Sequence, residues 1–128
     1  MTFANQPASG KELSLPVRQS ARILVAEDPF IISFLRTVLQ RLGHEVTTGD
    51  PAQLCKLLSD GVLKVDLVIT NSPSLFVGMA SQVAMLYIAA SPDPAEVEPF
   101  PVCRTLRKPF RNDELREAVD ELLRVVVP

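Results

Sequence analysis

Tryptophan is absent from this 128-residue chain, tyrosine and histidine occur once each, and there are only two cysteines and five glycines. Each shortage excludes something. Two cysteines, Cys55 and Cys103, cannot build a disulfide framework, so a reducing compartment fits better. One histidine, His44, with two scattered thiols makes no His/Cys metal cluster. No glycine-rich phosphate loop is present. No apolar run approaches the ~20 residues that span a bilayer. The N-terminal stretch MTFANQPASGKELSLPVRQS lacks the charged start and apolar centre of a secretory signal. Cytoplasmic residence, with no membrane contact, is the expectation. Thirteen basic against fifteen acidic residues give a net charge of -2, so there is no domain-wide basic surface and nucleic acid is not an expected partner.

What is present is ordinary for a folded domain: 47% hydrophobic and 22% charged residues. At roughly 150 residues per domain the length implies one. A chain of this size buries about two-thirds of its unfolded surface and needs no metal or disulfide to hold a core. Residues 1–20 are polar, carry Ser, Pro and Gly, and lack apolar periodicity, which predicts a flexible leader ahead of a folded unit over 21–128.

The pattern changes at Ile23. Ile23-Leu24-Val25-Ala26 is a short continuous apolar run, as in a strand buried on both faces. It ends at Glu27-Asp28. Asp28-Pro29 predicts a helix start, with Asp as N-cap and Pro in the first turn. Ile31, Leu35, Val38 and Leu42 recur at helical spacing, and Gly43 marks the stop. Glu45 to Thr47 reads as a second strand. Asp50-Pro51 repeats the cap signal, Leu54, Leu57 and Leu58 share a face, and Gly61 closes that helix. Val65 to Thr70 and Met85 to Ala90 predict two more apolar strands, and Thr105 to Arg107 a weaker fifth. A last helix begins near Asn112, with Asp113 and Glu114 suited to its positive first turn.

Strands alternating with helices predict an α/β fold with a parallel sheet. Two connections are irregular. Residues 71–84 are short for a helix and two loops. Residues 91–104 carry Pro92, Pro94, Pro99 and Pro101, and proline in a helix interior costs about 3 kcal/mol. Phe76, Val77 and Met79 are expected in the core, and His44 at the surface after a helix end.

Functional groups of such folds gather at the carboxyl ends of the strands. Those ends present Glu27 and Asp28, then Asn71, then Ala89, Ala90 and Ser91, then Lys108 followed by Pro109. The segments ILVAEDPFIISFLRTVLQRLGHEV, VDLVITN and LRKPFRNDELREAVDELL resemble, in this order, the receiver domain of two-component response regulators. The resemblance covers roughly residues 21 to 125. It implies a flavodoxin-like three-layer sandwich, a five-stranded parallel sheet in the order 2-1-3-4-5, and a stand-alone signalling module that is not an enzyme. The third and fourth helices of such a fold should be shortened or lost here.

In that family the acidic pair holds Mg²⁺, an aspartate at the end of the third strand takes the phosphoryl group, a lysine contacts the phosphoryl oxygens, and a Ser or Thr relays the switch. The resemblance places Glu27 and Asp28 at the acidic pair, Lys108 at the lysine and Pro109 after a cis bond. Two positions depart. Asn71 stands at the phospho-acceptor and Ala89 at the switch hydroxyl. An amide oxygen is a far poorer nucleophile than a carboxylate and cannot give an acyl phosphate. Its lost charge also weakens any Mg²⁺ site, because Mg²⁺ prefers carboxylates. Ala89 offers phosphate no hydroxyl. Asp66 does not substitute, since it precedes Asn71 by five residues, roughly 16 Å along a strand.

The expectation is a degenerate pseudo-receiver of a phosphorelay, acting through protein contact with a histidine kinase or another signalling protein. A homodimer is compatible with it. With no phosphate to hold, Lys108 is expected to pair with Glu27 or Asp28. One alternative is a receiver that still binds Mg²⁺ and is modulated by metal or ligand. Another is a small α/β ligand-binding domain or enzyme using Glu27, Asp28 and Lys108, which would need a concave site beside them.

Overall fold

A computed structural model describes residues 20–126. The predicted leader therefore lies outside the described residues, apart from Ser20.

Five strands alternate with helical segments. The strands are β1 (Arg22–Ala26), β2 (Glu45–Thr48), β3 (Leu67–Thr70), β4 (Ala84–Ala89) and β5 (Cys103–Arg107). The α-helices are α1 (Pro29–Arg41), α2 (Pro51–Ser59) and α3 (Asn112–Val126). All neighbouring strands are parallel, in the order β2-β1-β3-β4-β5. The strand order reverses between β1 and β3, where open α/β sheets form their crevice.

The near-continuous apolar strands have a direct cause. Successive side chains point to opposite faces, and both faces are covered. Ile23, Val25, Leu67, Ile69, Leu86 and Ile88 face α1 and α3, packing on Leu35, Leu39, Leu115 and Val119. Leu24, Val68 and Met85 face α2, packing on Leu54, Leu58, Phe76 and Phe100. Full burial of each such side chain stabilises by roughly 1.5–3 kcal/mol.

The second face has thinner cover. In place of the third and fourth α-helices are two 3-10 helices, Pro73–Met79 and Pro94–Val97. The prolines explain the second. Asp93 Oδ1 accepts from the Ala95 N–H at 3.0 Å, the Asp93 N–H donates to the Tyr87 hydroxyl at 3.1 Å, and Phe100 plugs the sheet at 3% exposure. Helix α1 ends before Gly43 at φ 91°, and α2 before Gly61 at φ 75°, the left-handed region that favours glycine.

Four local expectations are corrected. Val77 points outward at 49% exposure, because a 3-10 helix turns its side chains faster than an α-helix; Pro73 and Phe76 are buried, and Met79 is half-buried against the core. His44 is buried, not at the surface: its Nδ1 accepts from the Ala21 N–H at 3.1 Å as the chain folds back from Gly43 to start β2. Strand β3 starts at Leu67; just before it the Asp66 N–H donates to the Arg22 carbonyl at 2.8 Å and the Asp66 carboxylate accepts from the Arg22 N–H at 2.9 Å. Strand β4 ends at Ala89, and Ala90 is exposed.

Candidate functional site

Register brings the candidate residues to one edge. Ala26 pairs with Thr70, Thr70 with Tyr87, and Ala89 with Arg107. The residues just past or at these pairs are Glu27, Asn71, Ala89 and Lys108, in spatial order along the carboxyl edge. The Lys108 N–H donates to the Ala89 carbonyl at 2.9 Å, which fixes where the lysine leaves the sheet. The Lys108–Pro109 bond is cis.

Lys108 reaches back across the edge. Its Nζ lies 3.2 Å from Glu27 Oε1 and 3.9 Å from Asp28 Oδ2. Strands β5 and β1 are separated by β4 and β3, roughly 14 Å at the usual spacing between strands. The two long side chains therefore meet across the carboxyl edge, past the ends of β3 and β4. The Glu27 side chain is fully buried, that of Lys108 is 22% exposed and that of Asp28 is 65% exposed. Glu27 Oε1 also accepts from the Asp28 N–H at 3.0 Å. Glu27–Lys108 is thus the tight pair, and Asp28 is a solvated second acid.

Asp28 occupies the N-cap position of α1 but makes no capping bond through its side chain, unlike Asp50, whose Oδ2 accepts from the Gln53 N–H at 3.1 Å ahead of α2. The sequence predicted capping at both. At Asp28 the carboxylate instead faces the ammonium.

Asn71 is exposed, and its Oδ1 accepts from the Ser72 hydroxyl at 3.2 Å. Thr70, on the opposite face, is buried and takes the Ser72 N–H on its hydroxyl at 3.0 Å. Asp66 lies at the amino end of β3, away from this edge. Buried His44 lies at that same far end, beside Ala21.

The donor set can be tested against Mg²⁺. The oxygens are of the right hard type: two carboxylates and the Asn71 amide. Glu27 Oε2 is buried with no hydrogen-bond partner among the described residues, so one oxygen is available. The charge is short. The ammonium already offsets one of the two acids, and no group of three His, Cys, Asp or Glu residues suited to a metal occurs among the described residues. Glu27 and Asp28 could hold a divalent ion together with water, with the Lys108 ammonium competing for the same two acids.

A feature that sequence reading missed lies beside this edge. An apolar hollow of about 510 Å³ is lined by Ile31, Phe34, Ala90, Lys108, Pro109 and Phe110. The Phe34 and Phe110 rings pack with centroids 6.1 Å apart, and neighbouring Phe30 is 91% exposed. Phe30 and Phe34 stand four apart on α1, the spacing of one helix face, and that was the available signal. Beyond Phe110, Arg111 Nε donates to Asp113 Oδ1 at 3.1 Å. This bond holds the Asp113 carboxyl below the usual carboxylate range and the Arg111 guanidinium above its own.

No protein-family model matches the sequence, and no curated protein matches it. Solved structures do match. The signal receiver domain of an HD domain-containing protein from Pseudomonas fluorescens superposes with a TM-score of 0.71 at 23% identity, over 84% of this chain and 97% of that one. A two-component response regulator from Clostridium difficile gives 0.69 at 15% identity, over 85% and 100%. A chemotaxis response regulator of Vibrio cholerae gives 0.67 at 19%, over 82% and 100%. With the five parallel strands in the order 2-1-3-4-5 and the acid–lysine bridge across their carboxyl edge, this chain has the fold of a response regulator receiver domain.

Proposed function

We propose that this chain is a non-enzymatic, receiver-type signalling module that takes no phosphoryl group at position 71 and works through protein–protein contact in a two-component pathway. One observation carries the reading. Asn71 directly follows β3, between the strands that carry Glu27 and Lys108, and stays exposed while Lys108 pairs with Glu27. A carboxylate at position 71 would compete for that ammonium. An amide leaves it to Glu27.

The chemistry follows from the groups. The amide oxygen of Asn71 is a poor nucleophile toward phosphorus. Among the described residues no base accepts from the Ser72 hydroxyl, which donates to Asn71, and the buried His44 is at the far end of the sheet. Ala89 has no hydroxyl to follow a phosphate. Mg²⁺, if bound, would sit on Glu27 and Asp28 and would supply charge for an anion. Glu27 and Lys108 need no such ion to pair.

The partner surface on this reading is the apolar ground beside the edge, where Phe30, Phe34, Pro109 and Phe110 lie together. Exposed aromatics grouped in this way mark contact sites on soluble proteins. A histidine kinase or another two-component protein is the proposed partner. Cytoplasmic residence belongs to the same proposal; no helix among the described residues is long and apolar enough to cross a membrane.

The test is incubation with a small phosphodonor such as acetyl phosphate plus Mg²⁺, read by intact mass. The natural chain is expected to gain nothing, and Asn71→Asp to gain one phosphoryl group. A phosphoryl group on the natural chain would contradict the proposal.

A further inference from the structure

Helix α1 opens with an aromatic knob. Phe30 lies in its first turn and is 91% exposed. Phe34 follows one turn later, and Cβ atoms four apart on a helix are about 5–6 Å from each other. Phe34 lines the apolar hollow of about 510 Å³ beside the carboxyl edge, so Phe30 stands at the rim of that hollow. The Phe30 ring does not fold into it, since nearly all of its surface meets water.

Knob and hollow therefore lie side by side on one face. An apolar cavity of about 150 Å³ already holds a benzene ring, so there is room here for a phenyl group. Burying an exposed phenyl ring is worth about tenfold or more in an equilibrium constant. A two-fold axis lying in the contact plane, between knob and hollow, carries each Phe30 over the hollow of a second copy. Two-fold contacts of this self-complementary kind are the commonest among soluble oligomers.

The charged groups beside the patch carry both signs. Lys108 pairs with Glu27 and faces Asp28, Arg111 pairs with Asp113, and Glu114 accepts from the Arg111 N–H at 2.7 Å. The slight acidic excess is screened at ordinary salt. No wall of a single sign keeps two such faces apart.

We propose that two copies of this chain associate about a two-fold axis, with Phe30 of each seated in the hollow of the other. The patch is small, so the dimer is weak and depends on concentration. The inference rests on the reading of this ground as a contact surface and adds a regulation to it. Dimerisation covers the ground that a signalling partner needs, so partner and second copy exclude each other.

Sedimentation of the natural chain between about 10 µM and 1 mM tests it, and the mass should rise from monomer toward dimer. Phe30→Ser removes the knob, and Ala90→Arg blocks the hollow. Both positions are exposed, so the fold is kept. Each change acts twice across the axis and should weaken association at least about tenfold. Mixed together, the two variants should associate more tightly than either alone, because the mixed pair restores one knob in one hollow. Val62→Ser, which removes an apolar side chain 73% exposed elsewhere, should change nothing. A natural chain that stays monomeric throughout, variants that associate as it does, an equal effect of Val62→Ser, or a mixture no tighter than its parts would each overturn the proposal. The phosphodonor test of Asn71 has its own readout, so failure of the dimer and failure of the proposed function are seen separately.

Discussion

Glu27 carries a fully buried side chain, and the cation that compensates it comes from the other side of the sheet edge, on Lys108. Removing one member of a buried pair leaves the other charge uncompensated, at about 3–5 kcal/mol where burial is complete. Lys108 keeps some contact with water, so Lys108→Ala should cost less, about 1–3 kcal/mol in urea unfolding. Glu27→Gln should be tolerated better, since the side-chain oxygen can still accept from the Asp28 N–H. In a double-variant cycle the two changes should couple by at least about 0.5 kcal/mol. Strict additivity would show that the bridge contributes nothing. Cys55 offers a second check at this scale. Burial pushes its thiol above the ordinary value of 9.0, and its Sγ donates to the Leu75 carbonyl at 3.0 Å. A group whose folded value is raised adds stability below its unfolded value and loses it as pH rises through the folded one. The gap in thermal midpoint between the natural chain and Cys55→Ala should therefore narrow as pH climbs past 9.0. A gap that stays constant across that range would contradict the assignment.

The two helices that follow Asp-Pro steps differ in how they begin. Asp50 caps α2 through its side chain, while Asp28 faces Lys108 instead. Asp50→Ala should cost about 1 kcal/mol, the usual value of a lost N-cap. Asp28→Ala should cost clearly less in the same denaturation experiment, because it breaks no cap and only a solvated ion contact. Equal losses would mean that Asp28 caps α1 in solution. The sequence could not separate these two aspartates, since a cap signal is local and the ammonium that draws Asp28 away is contributed some eighty residues later. The two 3-10 helices make a further prediction. They have few internal hydrogen bonds and cover the sheet thinly, so amides in Pro73–Met79 and Pro94–Val97 should exchange hydrogen fastest among the helical segments. Protection there equal to that of α1 would contradict this.

At the scale of the whole molecule, the parallel sheet with its two-faced core and the gathering of Glu27, Asn71, Ala89 and Lys108 at one edge were legible in the sequence, while the strand order came from the resemblance to receiver domains. Short continuous apolar runs admit little besides strands buried on both sides, and turn signals at Gly43 and Gly61 pin the helices between them. The prolines foretold the loss of regular helix before β5. What was not legible depends on exposure and on distant partners. Val77 looked like core until the 3-10 turn set its direction. His44 looked like a surface cap until the Ala21 N–H claimed its ring. The apolar hollow beside the carboxyl edge joins α1 to the turns after β4 and β5, and the Phe30–Phe34 spacing on α1 is its one local sign. The central claim, that an intact receiver architecture lost its switch at Asn71, is most directly tested by an amide NMR titration with Mg²⁺, then Mg²⁺ with beryllofluoride, on the natural chain and on Asn71→Asp. The account predicts no beryllofluoride response in the natural chain, and shifts around Glu27, Asp28 and Lys108 in the variant. A response of the natural chain at those same residues would contradict it.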